Sequence, residues 1–322
     1  MNLRRSFVAA VALAVALPSW SAPFSSSPVK IVVGFAAGGA VDAMSRILSA
    51  RLTEKLETTV IVDNKPGFSG NLGAQAVAKS PADGTTLLMA PVTSYAVTEA
   101  MLGKATGFTL ESDFVAVAVA GEVPLVLVTH PSVPVNSLQE FVALAKKEPG
   151  KISVASSGIG STEHVAAEMF QQRTGVSLLH VPYKGGAPAN TDLVGGQVQA
   201  MFATIPNVIG NVRTGRLKAL AIMTPQRNPE LPQVPTAAEA GLANLEVTSV
   251  YVLMAPVATP PSVLQRLNTD LSAILKEPET IQRIAALGVT PATSTLAEAK
   301  TRTHAVVARW KDVVKSSNIK PE

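Results

Sequence analysis

The chain has 322 residues, 47% of them hydrophobic and 4% aromatic, with 27 basic and 23 acidic residues and a formal charge of +4. That much apolar sequence buries a core large enough for two domains, and scattered basic residues with so few rings between them argue against a nucleic-acid groove. Cysteine is absent, which excludes disulfides, thiolate metal sites, a cysteine nucleophile and a lipid-modified N-terminal cysteine.

At the N-terminus, Arg4 and Arg5 precede an apolar run from Phe7 to Leu17, broken at Pro18 and followed by the small residues Ser19, Ser21 and Ala22. This order reads as a secretory signal peptide over residues 1–22, and the run is too short to read as a membrane anchor. Val29 to Val33 is a continuous apolar, β-branched stretch suited to a strand covered on both faces, and Thr59 to Val62 repeats the type. Between them Met44, Ile47, Leu48, Leu52 and Leu56 recur at helical spacing, which makes a βαβ unit. A turn signal at Asp83 and Gly84 then leads into a strand, "TTLLM".

Further along, strands are expected at Ile152 to Ala155, Leu178 to Val181, Val198 to Phe202, Ala219 to Met223 and Val247 to Met254. Helix starts are expected where Ser137 precedes Glu140, Thr236 precedes Glu239 and Thr295 precedes Glu298 by three, and where Thr259 precedes Pro260 and Pro261. Two long apolar stretches, "FVAVAVAGEVPLVLVTH" and "LEVTSVYVLMAP", bracket the middle of the chain, each long enough to pass from one domain to another. Two passages imply a discontinuous first domain, residues 29–128 and 254–322, with a second, residues 131–249, inserted in it. The hinge segments fall near 120–130 and 246–255. The alternation of strand and helix predicts an α/β protein with mainly parallel sheets flanked by helices.

Four loops follow strands and precede helices. "AAGGAVD" offers Gly38 and Gly39 for close backbone approach and Asp42 to cap the helix or bond the loop's own amides. "APVTSYAV" places Thr93 and Ser94 at a strand end; "ASSGIGSTEH" brings Ser157, Gly160, Ser161 and His164; "VPYKGGAPANTDLVGG" brings Tyr183, Lys184 and Gly185. In an open α/β sheet, ligands bind beyond the carboxyl ends of strands, where helix N-termini present unpaired N–H groups. Each loop alone is also what a tight turn with a capped helix requires, and neither the dinucleotide glycine spacing nor the P-loop lysine is present. Lys184 is the only full positive charge in the four loops, so an anion held there would rest on N–H groups and helix dipoles.

The segments "KIVVGFAAGGAVDAMSRILSARL", "NKPGFSGNLGAQAVAKSPADGTTLLM", "SSGIGSTEH", "VPYKGGAPANTDLVGGQV" and "GRLKALAIMTPQR" together resemble the solute receptors of tripartite tricarboxylate transporters, the Bug family, over essentially the whole mature chain. The resemblance implies a type II-like two-lobed periplasmic binding protein, a monomer without a cofactor. It would close on a small organic acid and serve integral membrane transporter subunits. Carried onto this chain, it points to Phe35, Ala37, Gly38, Gly39 and Asp42, to Thr93 and Ser94, to Ser157, Gly160, Ser161 and His164, and to Tyr183, Lys184 and Gly185. Two positions depart from the family: Ala203 stands where it typically carries an Asp, and Tyr251 where it often carries a Trp. The lost acid argues against an amino-acid ligand. Two other classes are a ligand-sensing subunit for a signalling partner and a secreted hydrolase. Against the second, no G-x-S-x-G or H-E-x-x-H occurs, and Ser161 and His164 are spaced like a helix cap and its third residue.

Overall fold

The computed structural model describes residues 28–317 and residue 319; the signal-peptide segment lies outside them. The strands are β1 (Val29–Val33), β2 (Val60–Asn64), β3 (Thr86–Pro91), β4 (Phe114–Thr129), β5 (Ser153–Ser156), β6 (Leu179–Pro182), β7 (Ala200–Thr204), β8 (Lys218–Ile222), β9 (Thr248–Pro256) and β10 (Thr290–Pro291). The α-helices are α1 (Ala40–Leu56), α2 (Asn71–Ala78), α3 (Val92–Leu102), α4 (Leu110–Asp113), α5 (Leu138–Lys147), α6 (Thr162–Thr174), α7 (Gly186–Val194), α8 (Ile205–Arg213), α9 (Pro261–Ile274), α10 (Pro278–Ala286) and α11 (Leu296–Ser316).

One mixed sheet runs in the order β2-β1-β3-β9-β4-β7-β5-β6, with β8 and β10 also paired to β4. Its flanks are parallel: β1 lies between β2 and β3, and β5 between β6 and β7. Its centre is antiparallel, because β4 carries the chain out of the first half and β9 brings it back. β4 spans 16 residues and changes partners along its length. From Phe114 to Pro124 it pairs with β9, and from Leu125 to Thr129 with β7 and β8. The exchange falls at Pro124, which has no N–H to offer a ladder.

The apolar patterns account for the layers. Val29, Ile31, Val32 and Val33 are all buried, as a strand covered on both faces demands, and α1 buries Met44, Ile47, Leu48, Leu52 and Leu56 against the sheet. Along β4 and β7 the side chains alternate between two clusters. Leu125, Leu127, Ala200 and Phe202 pack toward α5 and α6, while Val126, Val128, Met201 and Ala203 pack under α7 and α8 with Ile205, Val208 and Leu231.

One expected helix start and one expected cap turn out otherwise. Thr236 and Glu239 do exchange both capping bonds, yet only a turn follows, since Gly241 enters the left-handed region with φ +81° two residues later. Helix α9 does begin at Pro261, but Thr259 does not cap it: Pro260 holds the cap position, and the Thr259 hydroxyl is buried with no hydrogen-bond partner among the described residues. Ser137 accepts the Glu140 N–H as expected, and Thr295 and Glu298 form the full reciprocal box.

Candidate functional site

Four helices begin on one small cavity between the two halves of the sheet. Its lining includes Gly39, Ala40 and Val41 from the start of α1, Glu163 from the first turn of α6, Gly186 from α7, and Thr204 and Asn207 from α8. Phe35, Ser157 and Tyr251 complete it. Each helix start leaves backbone N–H groups without intrahelical partners and a partial positive charge. Among the described residues no lysine or arginine lines the cavity. The chemistry on offer is therefore that of an anion site built from dipoles and neutral donors. The open volume is about 20 Å³, room for one water-sized group.

The halves are held together around this cavity by direct hydrogen bonds. Ala40, the first residue of α1, donates its N–H to Asn207 Oδ1 at 2.7 Å, and Asn207 Nδ2 donates to Thr204 Oγ1 at 2.8 Å. Ala36 N–H donates to the Lys184 carbonyl at 3.3 Å. Ser94 Oγ accepts the Thr162 N–H at 3.1 Å and lies 2.9 Å from the Thr162 hydroxyl. Ser69 Oγ donates to the Ile159 carbonyl at 2.5 Å. Gly185, with φ +133°, allows the approach: a Cβ there would meet the Ala36 nitrogen at 3.1 Å.

Of the residues singled out in the sequence, Phe35, Gly39, Ser157 and Tyr251 line the cavity. Ala37 and Gly38 sit at the exposed tip of the same loop. Asp42 takes the second of its two expected roles. Its Oδ2 accepts the Gly38 N–H at 3.0 Å and the Arg46 Nε–H at 2.8 Å, so it ties the loop rather than capping α1. Burial pushes its carboxyl up, but the bonds from Arg46 and Gly38 outweigh that and hold it below the usual carboxylate range.

Thr93 Oγ1 donates to the Thr248 carbonyl at 3.1 Å. Ser161 caps α6 by accepting the His164 N–H at 3.2 Å, while His164 Nδ1 accepts the Gly160 N–H at 3.1 Å. The His164 ring stacks on His180 with centroids 4.3 Å apart, outside the cavity lining. Tyr183 donates to Asp192 Oδ2 at 2.7 Å, and burial together with that carboxylate pushes its phenol up to about 12. Lys184 is exposed. Ala203 is buried in the apolar layer under α7 and α8, so an acid at that position would enter a greasy space.

Glu163 is the acid the cavity does contain. It is 4% exposed, and its Oε2 accepts the Ser157 hydroxyl at 2.6 Å. Burial pushes its carboxyl up, against hydrogen bonds from Ser157 and Ser161 that pull it down. Tyr251, buried beside that charge, has its phenol raised well above the usual value. Nothing in the sequence marks Glu163, because an acid in the first turn of a helix is what the dipole favours anyway. Asn207, a polar residue in the first turn of an amphipathic helix, is equally unmarked.

Residues 44–319 match the family model described as tripartite tricarboxylate transporter family receptor. The chain is 34% identical over 325 residues to protein BugT of Bordetella pertussis (strain Tohama I), with 99% of each chain covered. Among solved structures it is similar to R. palustris Rpa4515 with adipate, at 33% identity and a TM-score of 0.88, covering 93% of this chain and 100% of that one. It is also similar to MatC from Rhodopseudomonas palustris with bound malate, at 30% identity and a TM-score of 0.86, covering 90% and 100%.

Proposed function

The chain belongs to the tripartite tricarboxylate transporter receptor family, and from that premise we propose that it is a periplasmic receptor which captures a small organic acid and delivers it to the membrane subunits of such a transporter. The convergence of four helix N-termini on one cation-free cavity carries this reading. A carboxylate placed there meets several partial positive charges at once, each worth about 0.3–1 kcal/mol when exposed and up to roughly 2 when partly buried. The bound adipate and malate named for the two solved relatives favour the same ligand class.

The lobes of this receptor are residues 29–128 with 254–322, and residues 131–249. The hinge lies where β4 exchanges β9 for β7 and β8 and where β9 begins. A cavity of about 20 Å³ admits no organic acid as it stands, so capture requires the lobes to part and reclose around the ligand. Among the described residues no helix is long and apolar enough to cross a membrane, which fits an exported receptor with a removable leader over residues 1–22. Binding rather than catalysis is supported by Ser161 and His164, since each is bonded within its own helix start rather than to the other as nucleophile and base.

A thermal-shift screen over dicarboxylates, tricarboxylates, amino acids and aromatic acids tests the reading, with calorimetry and a turnover assay on each hit. Ligand at about 100 times its Kd adds roughly 2.7 kcal/mol of stability. A hit that binds and emerges unaltered is expected. A hit that is consumed, or a screen in which no acid binds, overturns it.

A further inference from the structure

Resting on the receptor reading above, we propose that the ligand is an amino acid whose carboxylate sits at the converging helix N-termini and whose ammonium group is received by Glu163.

The cavity carries two opposite electrostatic demands. The starts of α1, α7 and α8 want a negative group. Glu163, on the same cavity, wants a positive one: it is 4% exposed, and among the described residues no lysine, arginine or histidine lines the cavity beside it. The groups around it are the Ser157 hydroxyl at 2.6 Å, the Ser161 hydroxyl that caps its helix, and the Tyr251 phenol across the cavity from β9. His164, next on the helix, turns away to Gly160 and His180. Ser157 and Tyr251, which line the cavity with it, are neutral donors and not cations. A ligand bearing only carboxylate would bring a second negative charge against buried Glu163 and so force one of the two to take up a proton, whereas an ammonium group lets both carboxylates stay ionised.

A ligand with an ammonium group next to its carboxylate satisfies both demands at once. The positive centre pairs with Glu163, and the negative centre takes the N–H groups. The Ser157 hydroxyl already donates to one oxygen of Glu163 and so fixes where the carboxylate points. This assignment departs from the expectation drawn from Ala203: the acid is present, but it comes from the first turn of α6 and not from β7.

The test uses probe pairs that differ only in the α-amino group: L-aspartate and succinate, L-glutamate and glutarate, L-leucine and 4-methylpentanoate, L-phenylalanine and 3-phenylpropionate. Calorimetry on the full mature chain is expected to give at least one amino acid binding tenfold or more tightly than its partner. Glu163→Gln is expected to erase that preference while leaving the des-amino partner's affinity unchanged or improved. Ser157→Ala, which leaves the charge but frees its orientation, should reduce the preference by a smaller factor. If the des-amino acids bind as tightly as or more tightly than their amino partners in every pair, Glu163 is not an ammonium receptor and the receptor reading survives alone. If none of the eight probes binds, this inference falls, while the receptor reading is decided by the wider screen described above. The wild-type comparison decides the matter even if Glu163→Gln does not fold.

Discussion

Gly186→Ala puts the contact between the two halves to a quantitative test. A methyl group on Gly186 would lie 1.9 Å from Asn207 Nδ2, 2.7 Å from its Cγ and 3.1 Å from its Oδ1, so the amide has to swing away. Two bonds go with it: the 2.7 Å bond from Ala40 N–H and the 2.8 Å bond to Thr204. Ala40 is 4% exposed, and an N–H left unpaired in such a place costs about 1–3 kcal/mol. When the lobes part, water satisfies the same N–H, so that cost falls on the joined form alone. Gly186 is not among the residues with positive φ, so an alanine backbone is unstrained there. The melting temperature without added ligand should therefore hardly change. Affinity for the tightest probe should fall about 5- to 150-fold. Hydrogen exchange at the Ala40 amide should quicken correspondingly. Asn207→Ala should give a similar loss, and adding Gly186→Ala to it should give little more, because both remove the same bond. Unchanged affinity together with unchanged Ala40 exchange in Gly186→Ala, or fully additive losses in the double variant, would mean that the Ala40–Asn207 bond does not hold the halves together.

Asp42→Ala releases Arg46 and leaves the Gly38 N–H unbonded; affinity measured by calorimetry should fall severalfold while the far-ultraviolet spectrum is retained. Ser161→Ala removes the cap of α6; it should cost about 0.5–2 kcal/mol in urea unfolding and weaken binding as the α6 start loosens. The Glu163 carboxyl, raised by burial, binds its proton more tightly folded than unfolded. Its contribution to stability is then fully present below the ordinary glutamate value and fades as pH rises through the raised one, so Glu163→Gln should flatten the difference between urea midpoints at about pH 4 and about pH 8.

The parts of the molecule governed by apolar periodicity were legible from residues alone. "VKIVV" and the Met44 to Leu56 stripe became a buried strand and its helix because burying one face decides both. "FVAVAVAGEVPLVLVTH" became one strand that serves both halves. The polar loops were legible as a neighbourhood but not residue by residue. Asp42, Thr93, Ser94 and Ser161 stand outside the cavity lining, bonded to the protein's own backbone and to the Arg46 and Thr162 side chains. Such residues satisfy the same local chemistry whether or not a ligand stands beside them. Glu163 and Asn207 escaped notice for the complementary reason. Each has an ordinary place in the first turn of a helix, and only the meeting of two chain segments far apart in sequence gives it a further task.

That meeting also limits how tightly such a receptor binds. The first N–H of α1 is taken by Asn207, and the first N–H of α6 by Ser94, so two of the donors aimed near the cavity already have internal acceptors. A carboxylate that took either would replace a bond rather than add one, and the net gain would be the difference between a charged and a neutral acceptor. Ligand favours the joined lobes only by what it binds there and not in the parted form. The donors that count for affinity are accordingly those without an internal partner, together with the charge pairing at Glu163. Removing Asn207's carbonyl by Asn207→Ala therefore does two opposed things. It loosens the contact between lobes and frees a donor for the ligand, and the measured loss reports the first less the second.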